Sequence, residues 1–246
     1  MARLVIISGP SGVGKTPLHA ALVRLRPDLA AGLEKLVLFN TRPARPGERD
    51  GVDYHFRPRP VVEALSADAR YALVEARGDL QAVDLTALTE RLRHGDALFE
   101  GNPFVAGRLI DAQGFAAIPR LAIFVSPLSA AEISEVRRFD LASFVTRLMR
   151  GKLERRTMLQ KGAIGAEDRA TIERRAASAL AELGHAHRFD RVIVNHDGED
   201  SDHWRLGALV GDARRSLATL VALLEGRTAP DAEHWSEGTV PEPAGA

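Results

Sequence analysis

Gly9-Pro10-Ser11-Gly12-Val13-Gly14-Lys15-Thr16 is the stretch that decides the fold, because it spells G-x-x-x-x-G-K-[ST] directly after the apolar run Leu4-Val5-Ile6-Ile7. An apolar run of this length bounded by glycine reads as a buried parallel strand. The segment from Leu18 to Leu25 carries helical spacing, so the motif lies in the strand-turn-helix context that it requires. Glycines let the chain turn with positive φ, successive backbone N–H groups then face inward, and the helix that follows adds the positive end of its dipole. Such a cradle suits phosphate. Lys15 is placed to reach β- and γ-phosphates, and the Thr16 hydroxyl to complete the coordination of Mg²⁺. Pro17 falls in the first helical turn, where a missing N–H costs little. A glycine-rich turn joining strand to helix by chance is the plain alternative, and the agreement of motif, strand and helix argues against it.

Outward from this loop, short apolar runs alternate with amphipathic stretches, the pattern of an α/β protein with a parallel sheet flanked by helices. Strands are predicted at Leu4 to Ser8, Lys35 to Phe39, Tyr71 to Ala76, Ala97 to Glu100, Leu121 to Val125 and Arg191 to Asn195. Helices are predicted at Thr16 to Leu25, Leu85 to Arg93, Phe104 to Gln113, Leu141 to Arg156, Glu167 to Leu183 and Leu206 to Leu224. Beyond Glu225, Pro, Gly, Glu and Thr dominate, so residues 226–246 read as a disordered tail in which Trp235 is the single residue able to dock.

The chain has 246 residues, 45% of them hydrophobic, enough to bury a full core with an inserted lobe. Its 33 basic and 33 acidic residues cancel, which leaves no global field to gather nucleic acid or anionic lipid. Cysteine is absent, excluding disulfides and thiolate metal sites and matching a reducing cytoplasm. No apolar stretch approaches the ~20 residues of a membrane span, and the first residues lead into a strand rather than a signal peptide. The expectation is a cytoplasmic protein, monomeric or homodimeric, without nucleic-acid or membrane partners.

A second segment, Thr41-Arg42-Pro43-Ala44-Arg45-Pro46-Gly47-Glu48-Arg49-Asp50-Gly51-Val52-Asp53-Tyr54-His55-Phe56, is a proline- and glycine-restricted loop with two arginines three apart. Guanidinium forks bind phosphate oxygens in bidentate fashion, and the Tyr54 phenol can donate to a further oxygen. The bland reading is a solvated turn whose arginines pair with Glu48, Asp50 and Asp53. A third feature is charge. Residues 137–175 carry six more basic than acidic side chains in a chain whose total is zero, a concentration of cations suited to the spread negative charge of a migrating phosphoryl group. Arg147, Arg150 and Arg175 are the candidates there, with Arg174 behind them, and Met158 to Gly165 looks like a flexible tip.

With these motifs in hand the chain resembles the guanylate kinases, a branch of the nucleoside monophosphate kinases within the P-loop superfamily. That family pairs G-P-S-G-x-G-K-[ST] with T-R-x-P-R-x-G-E-x-x-G-x-[DE]-Y-x-F, and Gly9 to Thr16 and Thr41 to Phe56 match both. Weaker matches are Ile123 to Pro127, Arg174-Arg175 and Phe189 to Asn195, so the resemblance runs from about residue 3 to 225. It implies a core ATP domain (1–37 and 96–225) that includes an arginine-bearing lid (about 137–175), and an acceptor lobe at 38–95. It implies transfer of the γ-phosphoryl of Mg²⁺–ATP to a nucleoside monophosphate, GMP or dGMP. The ATP site would comprise residues 9–16 with Asn195, the acceptor site Arg42, Arg45, Tyr54, Glu75, Gln81 and Glu100, and Arg45 would also act on the transferring group beside Lys15.

The chain departs from the family where guanine is read. The family's serine falls on Leu38, its guanine-reading carboxylate on Ala72, its second phosphate-binding tyrosine on Gln81 and its base-contacting Ser/Thr on Val83. Alanine offers nothing to the N1–H and exocyclic amine of guanine, so Glu75, Asp79 and Gln81 are the side chains placed to compensate. Two alternatives therefore stand beside GMP: a kinase for another phosphorylated small molecule, and a non-catalytic guanylate-kinase-like interaction module.

Overall fold

A computed structural model describes residues 2–44, 47–111 and 118–241. The first strand, β1 (Leu4–Ser8), is buried along its whole length. Helix α1 (Lys15–Leu25) follows the glycine loop, and a short α2 (Pro27–Ala30) leads into β2 (Leu33–Lys35). A second group comprises β3 (Leu38–Asn40), β4 (Tyr54–Phe56), α3 (Arg59–Ala64), β5 (Tyr71–Ala76) and β6 (Asp79–Asp84). Then come α4 (Leu85–His94), β7 (Asp96–Gly101), α5 (Pro103–Asp111) and β8 (Arg120–Ser126). The remaining elements are α6 (Ala130–Val136), α7 (Leu141–Lys161), α8 (Ala166–Ala177), α9 (Ala179–Gly184), β9 (Arg191–Val194), α10 (Gly211–Leu224) and β10 (Ala232–Glu233).

The strands form two sheets, one ordered β10-β9-β8-β1-β7-β2 and the other β4-β3-β6-β5. In the first, β2, β7, β1, β8 and β9 run parallel and β10 is antiparallel. Both faces of this sheet are covered, which explains the unbroken apolar run in β1. Leu4 and Ile6 join Phe99, Phe124, Val145, Met149 and Leu183 on one side. Val5 and Ile7 join Leu18, Leu22, Ile123, Leu217 and Leu220 on the other.

The expected strand Lys35 to Phe39 is two strands in different sheets. Lys35 pairs with Leu98 in the first sheet, the Leu36 N–H donates to the Leu98 carbonyl, and from Leu38 the chain pairs with Tyr54 in the second. A continuous apolar run carries no mark of a change of sheet. The faces of the second sheet alternate by residue. Leu73, Leu80 and Ala82 pack on Val62 of α3, whereas Leu38, Ala72, Val74 and Val83 face the main core.

The expected disordered tail is corrected over its described part. Glu233 and Ala232 extend the first sheet beside β9, Trp235 is 1% exposed within the main core, and its indole N–H donates to Glu233 at 2.6 Å. Glu233 also accepts from the Ala130 N–H at 2.9 Å, which fixes the segment to the start of α6. One indole supplies enough buried apolar area to order a segment of otherwise polar composition. Residues 242–246 lie outside the described residues, as does Gln113, where the helix expected from Phe104 was to end.

Candidate active site

The loop after β1 is built by its glycines. Gly9, Gly12 and Gly14 adopt φ of 145°, 85° and 103°, and a Cβ on Gly9 or Gly14 would collide with the Val125 carbonyl or the Asn195 amide. Lys15 is buried, and its ammonium donates to the Gly9 and Pro10 carbonyls at 2.8 Å each. Burial drives its pKa down to about 8 from 10.5, aided by Arg77 and opposed by Glu199, Glu100 and Glu182. Thr16 is exposed at the mouth of the loop, and its hydroxyl donates to Glu100 Oε1 at 3.0 Å. Burial raises the Glu100 carboxyl, but the His19 hydrogen bond and the charges of Lys35, His19 and Lys15 outweigh it and hold the group below the ordinary glutamate value. An ionised carboxylate beside a threonine hydroxyl, next to a phosphate cradle, is a hard-oxygen set that fits Mg²⁺ carried in with phosphate and water. Glu100 was expected among acceptor contacts; the parallel register that sets it beside Ile7 of β1 puts it against Thr16 instead.

Asn195 reaches the loop from below. It is fully buried, and its amide donates to the Val13 carbonyl at 2.7 Å. The expected ATP contact is therefore corrected: Asn195 braces the loop and has no surface to offer a ligand. The turn that follows braces it further, since the Glu199 N–H donates to the Gly12 carbonyl at 3.0 Å and the Trp204 indole to the Gly198 carbonyl at 2.7 Å.

Across the cleft, the Arg42 guanidinium is bidentate on Glu48 at 2.6 and 2.7 Å and sits 5.1 and 5.3 Å from the Tyr54 and Phe56 ring centres. The bland reading thus describes Arg42 as it stands, with Glu48 as its counterion. Burial raises the Tyr54 pKa, so its phenol keeps the proton that it would donate to a phosphate oxygen. Gln81 is buried on the face of β6 that also carries Val83 and Asp79. Asp79 feels Arg174, Arg42, Arg77 and Arg59, yet burial outweighs all four and raises its carboxyl. Glu75 does not join them. Strand alternation puts it on the α3 side with Leu73, where it is exposed and pairs with Arg59 at 3.2 Å. Arg45 lies outside the described residues.

Of the lid candidates, Arg175 reaches the cleft. It is buried, and burial followed by the like charge of Arg42 lowers its pKa; no described carboxylate pairs with it. Arg150 is committed to Glu173 at 2.6 Å, tying α7 to α8. Arg147 is exposed at the far end of α7, in a groove with Phe139, Asp140 and Phe144. The α7 helix itself is a brace. Its stripe Leu141, Val145, Met149, Leu153 and Thr157 is buried, and Leu153 lies against Gly12. Arg155 and Arg156 pair with Asp200 and Glu199 at 2.7 and 2.8 Å. Charge concentration marked the segment but could not say which side of a helix faces the phosphates.

These positions can be set beside known proteins. The guanylate kinase family profile matches residues 1–75. A guanylate kinase of Alkalilimnicola ehrlichii is 34% identical over 196 residues, spanning 79% of this chain and 81% of that relative. One from a Synechococcus strain is 31% identical over 200 residues, spanning 81% and 78%. The chain belongs to the guanylate kinase family. A crystal structure of guanylate kinase from Anaplasma phagocytophilum shares the fold, with a TM-score of 0.54 and 19% identity over 92% of this chain and 85% of that one.

Membership in the guanylate kinase family leaves three residues of the cleft that sequence reasoning missed. Arg77, Glu182 and Glu199 all act on the Lys15 ammonium. Arg77 had a signal, since it precedes Gly78 in a two-residue turn between β5 and β6. Glu182 and Glu199 lie in segments that carry no motif of their own.

Proposed function

We propose that the chain transfers the γ-phosphoryl group of Mg²⁺–ATP to the phosphate of a nucleoside monophosphate, GMP as the names of its relatives indicate. The observation that carries this reading is the pairing of two cationic sites: Lys15 under a glycine loop, donating to the Gly9 and Pro10 carbonyls, and Arg42 close enough to the buried Arg175 for its charge to oppose that of Arg175. Like charges held together in a low-dielectric cleft call for an anion.

ATP would lie on residues 9–16, with Lys15 exchanging the Gly9 and Pro10 carbonyls for phosphate oxygens. Thr16 and Glu100 would hold the Mg²⁺ that accompanies ATP; bound there, it neutralises phosphate charge. Arg42 would release Glu48 to grip the acceptor phosphate with Tyr54, and Arg175 would face the group in transit. The bond from the γ-phosphorus to the bridging oxygen breaks, a bond to an acceptor phosphate oxygen forms, and ADP leaves. No general base is required, because a phosphate monoester with a second pKa of about 6 is already ionised. No described helix is long and apolar enough to cross a membrane, and we place the reaction in the cytoplasm.

ADP release measured with GMP, dGMP, the other nucleoside monophosphates and sugar phosphates tests this, with ATP alone as the control. GMP-dependent release above the control is expected. Release with none of the monophosphates refutes the reading, and an absence of ATP binding in calorimetry points to an interaction module.

A further inference from the structure

Arg77 is the one described residue other than glycine with positive φ, at 58°. It occupies the first position of the two-residue turn Arg77-Gly78 that joins β5 to β6, where both residues have φ above zero. Asparagine, aspartate and glycine take that position with least strain. An arginine there pays a conformational penalty that the turn itself does not require.

Its side chain shows what the position is used for. The Arg77 Nε and Nη2 donate to the two carboxylate oxygens of Glu182 at 2.6 Å each. Glu182 is 0% exposed, on α9, and also accepts from the Ser178 hydroxyl at 2.7 Å. The pair spans 105 residues. It joins the tip of the second sheet to the helix that directly follows α8, which carries Arg174 and Arg175. Val74 and Val83 press the same sheet onto the main core, but apolar contact is non-directional and fixes no angle. A planar fork on a planar carboxylate fixes both distance and orientation. The charge of Arg77 is felt by both Lys15 and Asp79.

We propose that the Arg77–Glu182 pair is a latch that sets the angle of the 38–84 lobe against the α8–α9 segment, making Arg77 a positioning residue for the acceptor. Its kinetic consequence rests on the function proposed above; its structural consequence does not. Arg42, Tyr54 and Gln81 ride on the lobe, whereas Lys15 and Arg175 belong to the body. Loss of the latch therefore loosens the acceptor site and leaves the ATP loop intact.

The chain has no cysteine, so Val61→Cys on α3 and Val23→Cys on α1, both at exposed positions, give a clean pair of labels for an interlobe distance measurement. In this background Arg77→Asn, which the turn accepts, is expected to broaden the distance distribution and move it to longer values. Glu182→Gln is expected to do the same to a smaller degree, and Arg77→Lys to keep part of the native distribution. In turnover assays Arg77→Asn should raise the acceptor KM by ~10–100-fold, as for a misplaced binding group, while the ATP KM stays within ~2-fold. The double variant should be no worse than the worse single one. Should Arg77→Asn fail to fold by circular dichroism, Glu182→Gln and Arg77→Lys decide. An unchanged distribution in the folded variants overturns the latch whatever the activity, as does an ATP KM that rises in step with the acceptor KM. A broadened distribution in a protein that phosphorylates no acceptor keeps the latch and removes the proposed function.

Discussion

Replacing Lys15 with Met is expected to remove turnover and, at neutral pH, to make the protein more stable. The ammonium is buried, and its pKa stands at about 8 against 10.5 in water, burial being the largest cause. At 1.36 kcal/mol per pH unit, that difference corresponds to ~3 kcal/mol of cost for keeping the charge inside the folded protein. Methionine has similar reach and carries no charge to desolvate. Against the gain stand the two hydrogen bonds to Gly9 and Pro10, worth ~1 kcal/mol each. The net is ~1 kcal/mol in favour of the variant, or ~2–4 °C in Tm for a chain of this size.

The pH dependence of this difference is the sharper test. Below about 8 the lysine is protonated in both folded and unfolded chains, and the full cost is present. Between about 8 and 10.5 the folded protein sheds the proton while the unfolded chain keeps it, so this group makes wild-type stability rise with pH. Above 10.5 both forms are neutral and the cost is gone. Methionine has no such titration. Urea denaturation at about pH 7 and about pH 9.5 should therefore show the variant's advantage shrinking or reversing at the higher pH. A Lys15→Met variant less stable than wild type at about pH 7, or an advantage independent of pH, would refute the reasoning. Turnover should fall by ~10²–10³-fold or more, as for loss of a transition-state donor.

Two further outcomes follow from the same geometry. Trp235→Ala should cost ~3–5 kcal/mol in urea denaturation, since it empties a fully buried indole site; a change under ~1 kcal/mol would mean that residues 232–240 leave the core in solution. Arg175→Ala should lower kcat by ~10²-fold or more, whereas Arg147→Ala, exposed in a remote groove, should stay within ~2-fold; equal losses in the two variants would contradict the division of labour along α7 and α8.

The glycine loop was legible because its spacing is tied to backbone conformation: three glycines at positive φ and a lysine that must fold back under them leave little choice of sequence. Arg42 and Tyr54 were legible for a related reason, since the prolines and glycines between them restrict the loop. The positions misread depend on tertiary direction instead. Glu75 and Gln81 lie on neighbouring strands of one sheet, and only the pairing of Val74 with Gln81 decides that the buried amide faces the cleft while the acid faces α3. The contact of Glu100 with Thr16 was not legible because nothing local says that Thr16 lies beside the end of β7. The passage of the chain between sheets at Leu36-Val37 was hidden by an apolar run that suits a strand on either side.

Lys15, Arg42 and the Thr16 hydroxyl already hold partners that ligands can replace. Lys15 holds the Gly9 and Pro10 carbonyls, Arg42 holds Glu48, and the Thr16 hydroxyl holds Glu100. A buried charge without a partner is costly, so these stand-ins let the empty site exist, and binding becomes an exchange rather than a capture. Exchange also supplies discrimination. A ligand must offer Arg42 more than a bidentate carboxylate does, which a doubly charged phosphate achieves and a singly charged acid does not. Arg175 is buried against the like charge of Arg42 with no described carboxylate paired to it, and the charges of Glu199 and Glu182 offset only part of that cost, so an anion arriving between it and Arg42 relieves the remainder. That is the place where the group in transit would lie, and the asymmetry makes the site favour the state in which transfer occurs over either pocket filled alone.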